Sequence, residues 1–369
     1  MYRIYVNNTL VHHPRTSNVA ITATISEATN THGTLNVTLV PRAGNVNVRD
    51  IVRVENDDGL VWRGRVLSVD LALDGSHSIV AEGALAALCD STLQPFAFRG
   101  AVSDLFTAII TEHNAQMGDT ERVFTIGTCT VTDPNNYIYR SSESPMTCWE
   151  ALTSKLLDLN GGYIVLSGDD LKTINYLSDF TANGSPDICS QSVEFGENLL
   201  QFARSETAEG IVNVLYAYGA VIDEGTGHEE EPTSSGFHTW HGSRLHLTGN
   251  DFPLKYQDSI DKYGKVVGFN TWDDITLAAN LKTAATKWLE DNYNAVRGSI
   301  QLQACDLALL DNTIEQIQVG KYVRCSVPYL EFEDLLLCVE KQTDLLDLSQ
   351  TTFSLGRGPT RISDIGGSL

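Results

Sequence analysis

The chain opens with apolar and polar positions alternating in the manner of strands. Ile4 and Val6, then Ala20, Thr22 and Thr24, Leu35, Val37 and Leu39, Val52 and Val54 after Ile51, and Val61 and Arg63 follow the two-residue period of half-buried strands, with Val66 and Val69 continuing the last run. Turn chemistry separates these runs at Thr31-His32-Gly33, Arg42-Ala43-Gly44-Asn45, Asp57-Asp58-Gly59 and Asp74-Gly75-Ser76. Short strands at this spacing, with no helical period between them, predict a small antiparallel β-barrel or sandwich over residues 1–93.

After Asp90 to Phe96 the period changes. Val102, Leu105, Phe106, Ile109 and Ile110 recur at helical spacing, with Ser103 as the expected N-cap. A second helix is expected from Ser144 as N-cap and Pro145 at its first position. Its stripe is Trp149, Leu152, Leu156 and Leu159, and Gly161-Gly162 stops it. Strands over Tyr163 to Leu166 and Leu171 to Tyr176 complete an α+β unit at residues 94–195. Strand alternation returns between Asn198 and Val221. A third helix is marked within Thr271 to Tyr293 by Leu277, Leu281, Ala284 and Trp288, and the chain closes in β from Ser299. The expectation is a β-rich, multidomain α+β chain with two small antiparallel barrels. The second barrel is discontinuous, at 196–222 and 296–362, around an inserted α+β segment at 223–295. That insert begins with an acidic loop at 223–236 carrying five acids and no Lys or Arg, which predicts an exposed, mobile stretch.

A weak internal match links the two barrels. Val48-Arg49-Asp50-Ile51-Val52-Arg53-Val54 aligns with Val319-Gly320-Lys321-Tyr322-Val323-Arg324-Cys325 at a constant offset, and Leu60 to Asp70 parallels Leu330 to Lys341. A chain with two similar modules forms a ring of approximate sixfold symmetry from three copies, so that a trimer can seat on a sixfold partner.

Composition narrows the function. The 369 residues carry 47 acids against 25 basic residues, a formal charge of −22. No Lys/Arg run compensates it, which argues against binding nucleic acid through its phosphates. No stretch has signal-peptide or membrane-span character. The seven cysteines are odd in number and never spaced C-x-x-C, which favours buried free thiols over disulfides or zinc.

Candidate chemistry is sparse. His228, His238, His241 and His246 beside Glu229, Glu230 and Glu231 are zinc-type ligands, but Pro232 stands where H-E-x-x-H needs its second histidine. Cys148 with His113 is the conceivable nucleophile and base, and no Gly-rich nucleophile turn accompanies it; a core cysteine and a capping or surface histidine account for the pair. Asp169-Asp170 and Asp273-Asp274 are adjacent acids, which diverge in a turn or a helix start instead of converging on a substrate. Phe237, Trp240 and Tyr256 near the acidic loop would serve a carbohydrate-binding adhesin. G-x-G-x-x-G and G-x-x-x-x-G-K-[ST] are absent. The residues therefore assign no catalytic, cofactor-binding or metal site.

Several segments fall in an order found in one family. They run from Val61-Trp62-Arg63-Gly64-Arg65-Val66 through Glu82-Gly83-Ala84-Leu85-Ala86-Ala87-Leu88-Cys89-Asp90-Ser91, Ile109-Ile110-Thr111-Glu112-His113-Asn114 and Phe124-Thr125-Ile126-Gly127. They continue with Trp149, Gly161-Gly162-Tyr163, Val193-Glu194-Phe195-Gly196-Glu197-Asn198-Leu199-Leu200, Val214-Leu215-Tyr216-Ala217-Tyr218-Gly219-Ala220 and Tyr263-Gly264-Lys265-Val266. In this the chain resembles the N-terminal hub region of siphophage tail-tip proteins, the tail-associated lysin or prophage tail endopeptidase family, similar in architecture to contractile-phage baseplate hubs. The resemblance implies a homotrimeric structural hub in the virion, made in the host cytoplasm. It implies docking on a hexameric distal tail protein, contact with the tail tube and tape-measure protein, and closure of the tube until DNA release. Receptor-binding or fibre proteins are further implied partners. Long relatives append a peptidoglycan hydrolase or fibre module, whereas this sequence ends at Gly366-Gly367-Ser368-Leu369, so a non-enzymatic role is expected, with a separate gene or a cut linker accounting for the missing part. The alternatives are a carbohydrate-binding adhesin, the hub of a phage-tail-like secretion spike, and a tail-associated peptidoglycan endopeptidase.

Overall fold

A computed structural model describes residues 1–16, 19–40, 46–182, 184–207, 210–221, 244–293, 297–309, 314–347 and 350–356. The acidic loop with His228, His238, His241, Phe237 and Trp240, and the chain's last thirteen residues, lie outside them.

The alternating N-terminal runs become strands β1 (Arg3–Val6), β2 (Thr9–His12), β3 (Ala20–Ala28), β4 (Thr34–Leu39), β5 (Ile51–Glu55), β6 (Leu60–Leu71) and β7 (His77–Gly83). Their inward positions, including Ile4, Leu35, Leu39, Val54 and Val66, form one buried cluster. Each such side chain removed from water contributes about 1.5–3 kcal/mol. Gly64 and Gly83 are cross-strand partners in β6 and β7, and the site requires glycine. A Cβ at Gly64 would stand 2.1 Å from the Glu82 carbonyl oxygen, and one at Gly83 would stand 1.8 Å from that of His32.

The next unit packs helix α1 (Val102–Gln116) and helix α2 (Cys148–Leu152) against a three-stranded sheet of Thr125–Cys129, Thr173–Leu177 and Tyr163–Ser167. Both helix starts differ from expectation. Ala101, not Ser103, is the N-cap of α1, and the Asp104 carboxylate reaches back to the Ala101 N–H at 3.3 Å. Thr147, not Ser144, caps α2, its hydroxyl accepting from the Glu150 N–H at 3.1 Å. The cause is tertiary: Met146 and Thr147 pair with Leu93 and Thr92, which holds the chain extended to that point. Beyond Leu152 a π-helical turn, Thr153–Leu157, turns the stripe, so that Leu152 and Leu156 are buried while Leu159 is exposed. Gly161 and Gly162, at φ of 69° and 85°, end the helical run as expected.

Strand β8 (Ile188–Glu194) returns to the first sheet. Strand β9 (Val214–Val221) does not join the closing β segment. It centres a separate sheet with Arg244–His246, Leu254–Lys255 and β10 (Val267–Thr271), whose opposite face is covered by helix α3 (Ala278–Asn292). The closing segment forms β11 (Tyr322–Val327), β12 (Phe332–Asp344) and β13 (Thr352–Gly356).

One sheet of 11 strands joins both ends of the chain, in the order β8-β11-β12-β3-β4-β7-β6-β5-β1-β2, with β13 on the other edge of β12. This is an open path: among the described residues no ladder closes either β unit into a barrel. The internal sequence match corresponds to like structures. β5–β6 and β11–β12 are both antiparallel hairpins, and Arg49 and Gly320, equivalent in the alignment, both have left-handed φ, of 75° and 91°.

Candidate functional site

The thirteen-residue strand β12 brings the two β units together. Its first half pairs with β11 and its second half with β3, with Lys341 directly opposite Glu27. Lys341 is buried; its Nζ donates to the Ile317 carbonyl at 2.5 Å and lies 3.8 Å from the Asp306 carboxylate. Asp306 is itself held by the Gln191 amide at 2.9 Å and the Ala308 N–H at 3.1 Å. Burial pushes the Lys341 ammonium below its ordinary value and Asp306 partly offsets this; burial pushes the Glu27 carboxyl up, and Lys341 partly offsets that. A cavity of about 250 Å³ with a mixed polar and apolar lining, including Glu27, Lys341, Tyr2 and Gln316, lies at this seam.

Polar ties fix the second unit to the first. The Asn30 side chain donates to the Gly162 carbonyl and accepts from the Ile164 N–H, both at 2.9 Å. Arg63 holds the Glu121 carboxylate at 2.9 Å. Asp90 meets Arg65, Arg49 and Arg122; burial alone would raise its carboxyl, and the Arg65 and Arg49 interactions outweigh this and hold it below the usual range. The sheet around β9 is tied by Arg140 to Asp274 at 2.8 Å.

The expected chemical candidates resolve in different ways. Cys148 and His113 do come together, through Ser91, a residue sequence reasoning did not single out. The Ser91 hydroxyl stands 2.7 Å from His113 Nδ1, His113 Nε2 is 2.8 Å from the Arg122 carbonyl, and the Cys148 N–H donates to the Ser91 carbonyl at 3.1 Å. Nε2 donates to that carbonyl, which leaves Nδ1 to accept from Ser91. All three side chains are sealed from solvent, so His113 is neither a surface nor a capping residue. Burial lowers the imidazole's pKa and raises the thiol's, against the weaker pull of Ser91 on the thiol. A neutral thiol with no route to substrate is the reverse of an activated nucleophile.

Asp273 and Asp274 diverge, to Arg244 at 2.5 Å and to Arg140. Asp170 closes a turn by accepting from the Lys172 N–H. His246 is half-buried with its ring 5.3 Å from that of Phe252, and no group of three metal-type ligands occurs among the described residues. Tyr256 is stacked on Tyr293 at 3.6 Å, which occupies one ring face. All seven cysteines are free; four are buried and Cys89 is exposed, 3.8 Å from His32 Nε2. No described helix is long and apolar enough to cross a membrane.

Comparison with known proteins gives these features a context. Residues 190–366 match the family model of the prophage endopeptidase tail. Among solved structures, the 43 kDa tail protein of prophage MuSo2 from Shewanella oneidensis superposes with a TM-score of 0.63, covering 97% of this chain and 98% of that one at 11% identity. The chain has the fold of a phage tail protein. A tail protein from Neisseria meningitidis agrees, with a TM-score of 0.62 over 98% of both chains at 10% identity. The E. coli c3393 protein, a type VI secretion component described as structurally similar to the T4 bacteriophage tail proteins gp27 and gp5, has a TM-score of 0.50. It is covered over 76% of its length, and 96% of this chain, at 8% identity. No curated protein matches by sequence. The tail fold thus extends over almost the whole chain, while the family match lies in its second half, where β11, β12 and β13 build the seam.

Proposed function

We propose that this tail protein is a structural baseplate hub of a siphophage tail tip, in which three copies form a ring. The observation that carries the reading is the pair of like hairpins, β5–β6 and β11–β12, set in one continuous sheet with β3, β4 and β7 between them. Each is the nucleus of a small barrel-like module, and three chains then present six similar modules to a sixfold partner. The partner is the hexameric distal tail protein, with the tail tube and tape-measure protein above, and the ring closes the tube until DNA release. The negative charge of the chain would let DNA pass without adhering. The virion is its place of action.

The role is structural and not hydrolytic. The family name points to an endopeptidase, yet Cys148 and His113 are sealed in a core with the protonation states of a resting thiol and imidazole. Light scattering of the purified chain, alone and mixed with its distal tail protein, tests the proposal. A trimer that joins a hexamer is the expected result, and a monomer that never joins that ring refutes it. Release of peptide from peptidoglycan by the purified chain would overturn the non-enzymatic part.

A further inference from the structure

Two exposed apolar surfaces of this chain carry opposite charge. One is the tip of the β11–β12 hairpin. Pro328–Leu330 form its turn, Glu331 takes a left-handed φ of 50°, and Phe195, at the end of β8, is anchored beside it by its N–H to the Ser326 carbonyl at 3.1 Å. The Phe195 and Tyr329 rings meet edge to face at 4.7 Å, yet remain 57% and 64% exposed. Glu197, Glu331 and Glu333 surround them, all exposed, and none meets a cation among the described residues. Arg324 is the nearby basic residue on β11.

The other surface is the α3-free face of the sheet around β9. Among the described residues β10 lies at that sheet's edge and pairs only with β9, and its outward residues Val267 and Phe269 are 51% and 76% exposed. Strand alternation puts Lys265 in line with them, and register puts Lys255 on the same face, since Val214 is the partner of both Lys255 and Val267. Both lysines are exposed and neither meets a carboxylate among the described residues. The acids of the short helix beside β10, Asp258 and Asp261, lie off the strand.

We infer that the hairpin tip of one copy docks on the β10 edge of the next, as a head-to-tail contact that closes the ring. The inference rests on the ring reading above and supplies its interface. An aromatic centre with a rim of opposite charges is the usual construction of a specific contact. The two surfaces differ from one another and lie on different units of the chain, so their contact is taken as heterologous, and heterologous association continues from copy to copy until a ring closes. In a chain of net charge −22, two lysines beside exposed Val267 and Phe269 give an acidic, apolar tip a surface of complementary charge.

Sedimentation of the full chain with paired charge reversals tests this. The variants Lys255→Glu/Lys265→Glu and Glu331→Lys/Glu333→Lys should each weaken self-association at least about tenfold at low salt, and their combination in one chain should restore it. Restoration also shows that the reversals leave the fold intact. A wild-type trimer that neither reversal weakens, or a combined variant no better than the single ones, overturns this interface and leaves the ring standing. A wild-type chain that stays monomeric alone and with the distal tail protein overturns the ring itself. Variants that remain trimeric but lose the distal tail protein would assign these surfaces to that partner and overturn the inference.

Discussion

Replacing Lys341 with methionine probes the seam on which the two-unit sheet depends. Methionine keeps most of the apolar stem and deletes the ammonium, which lies beside the Ile317 carbonyl and the fully buried Asp306 side chain. Removing one partner of a buried ion pair costs about 3–5 kcal/mol, because the remaining charge is left without compensation. Asp306 retains the Gln191 amide and the Ala308 and Ile317 N–H groups as donors, which places the cost near the lower end, about 3 kcal/mol. Asp306→Asn should cost less, about 1–2 kcal/mol, since Lys341 keeps the Ile317 carbonyl as acceptor and Glu27 opposite it. The double variant should then recover about 1–2 kcal/mol relative to the sum of the two single changes. Urea unfolding followed by circular dichroism, extrapolated to water, measures all three. A loss below about 1 kcal/mol for Lys341→Met, or strict additivity in the double variant, would refute the account of the seam.

Other consequences follow from the same packing. Burial keeps His113 neutral in the folded chain, whereas the unfolded chain takes up a proton below the ordinary value of 6.5; stability should therefore fall as pH drops below 6.5, by at most about 1.4 kcal/mol per pH unit for this residue, and His113→Asn should reduce that slope in pH-dependent urea titrations. Asn30→Ala deletes two hydrogen bonds between units and should cost about 2 kcal/mol in the same assay; an unchanged midpoint would mean the junction is held elsewhere. Gly64→Ala drives a Cβ into the Glu82 carbonyl and should cost more than about 3 kcal/mol, seen as a collapsed melting temperature or insoluble protein. In native protein a thiol reagent should label Cys89 first, while Cys325 and Cys338, whose thiols burial pushes up to about 12, should react only on unfolding; early labelling of either would contradict their burial.

Local pattern was enough to place most of the elements. Alternation at Leu35, Val37 and Leu39 and the helical spacing of Leu105, Phe106, Ile109 and Ile110 reflect which side of an element meets water, and that information is carried by the residues themselves. Gly161-Gly162 ended a helix for an equally local reason, a backbone conformation that side chains resist. The negative charge and the absence of phosphate-binding motifs also needed no structure to read.

What tertiary structure decided are the relations between distant segments. Thr147 displaced Ser144 as a cap because a strand pair with Thr92 and Leu93 holds the chain extended, and no local signal reports that pair. Ser91 joins Cys148 to His113 across three elements, which turned a possible nucleophile into a sealed core network. Strand β9 left the closing β segment for its own sheet, since a strand's period does not name its partners. The internal match predicted two similar modules, but only the pairing of Lys341 with Glu27 revealed that they share one sheet. Hydrophobic periodicity determines which face of an element is buried; which other element buries it is settled by long-range pairing and packing, where residues far apart in sequence choose among many acceptable neighbours.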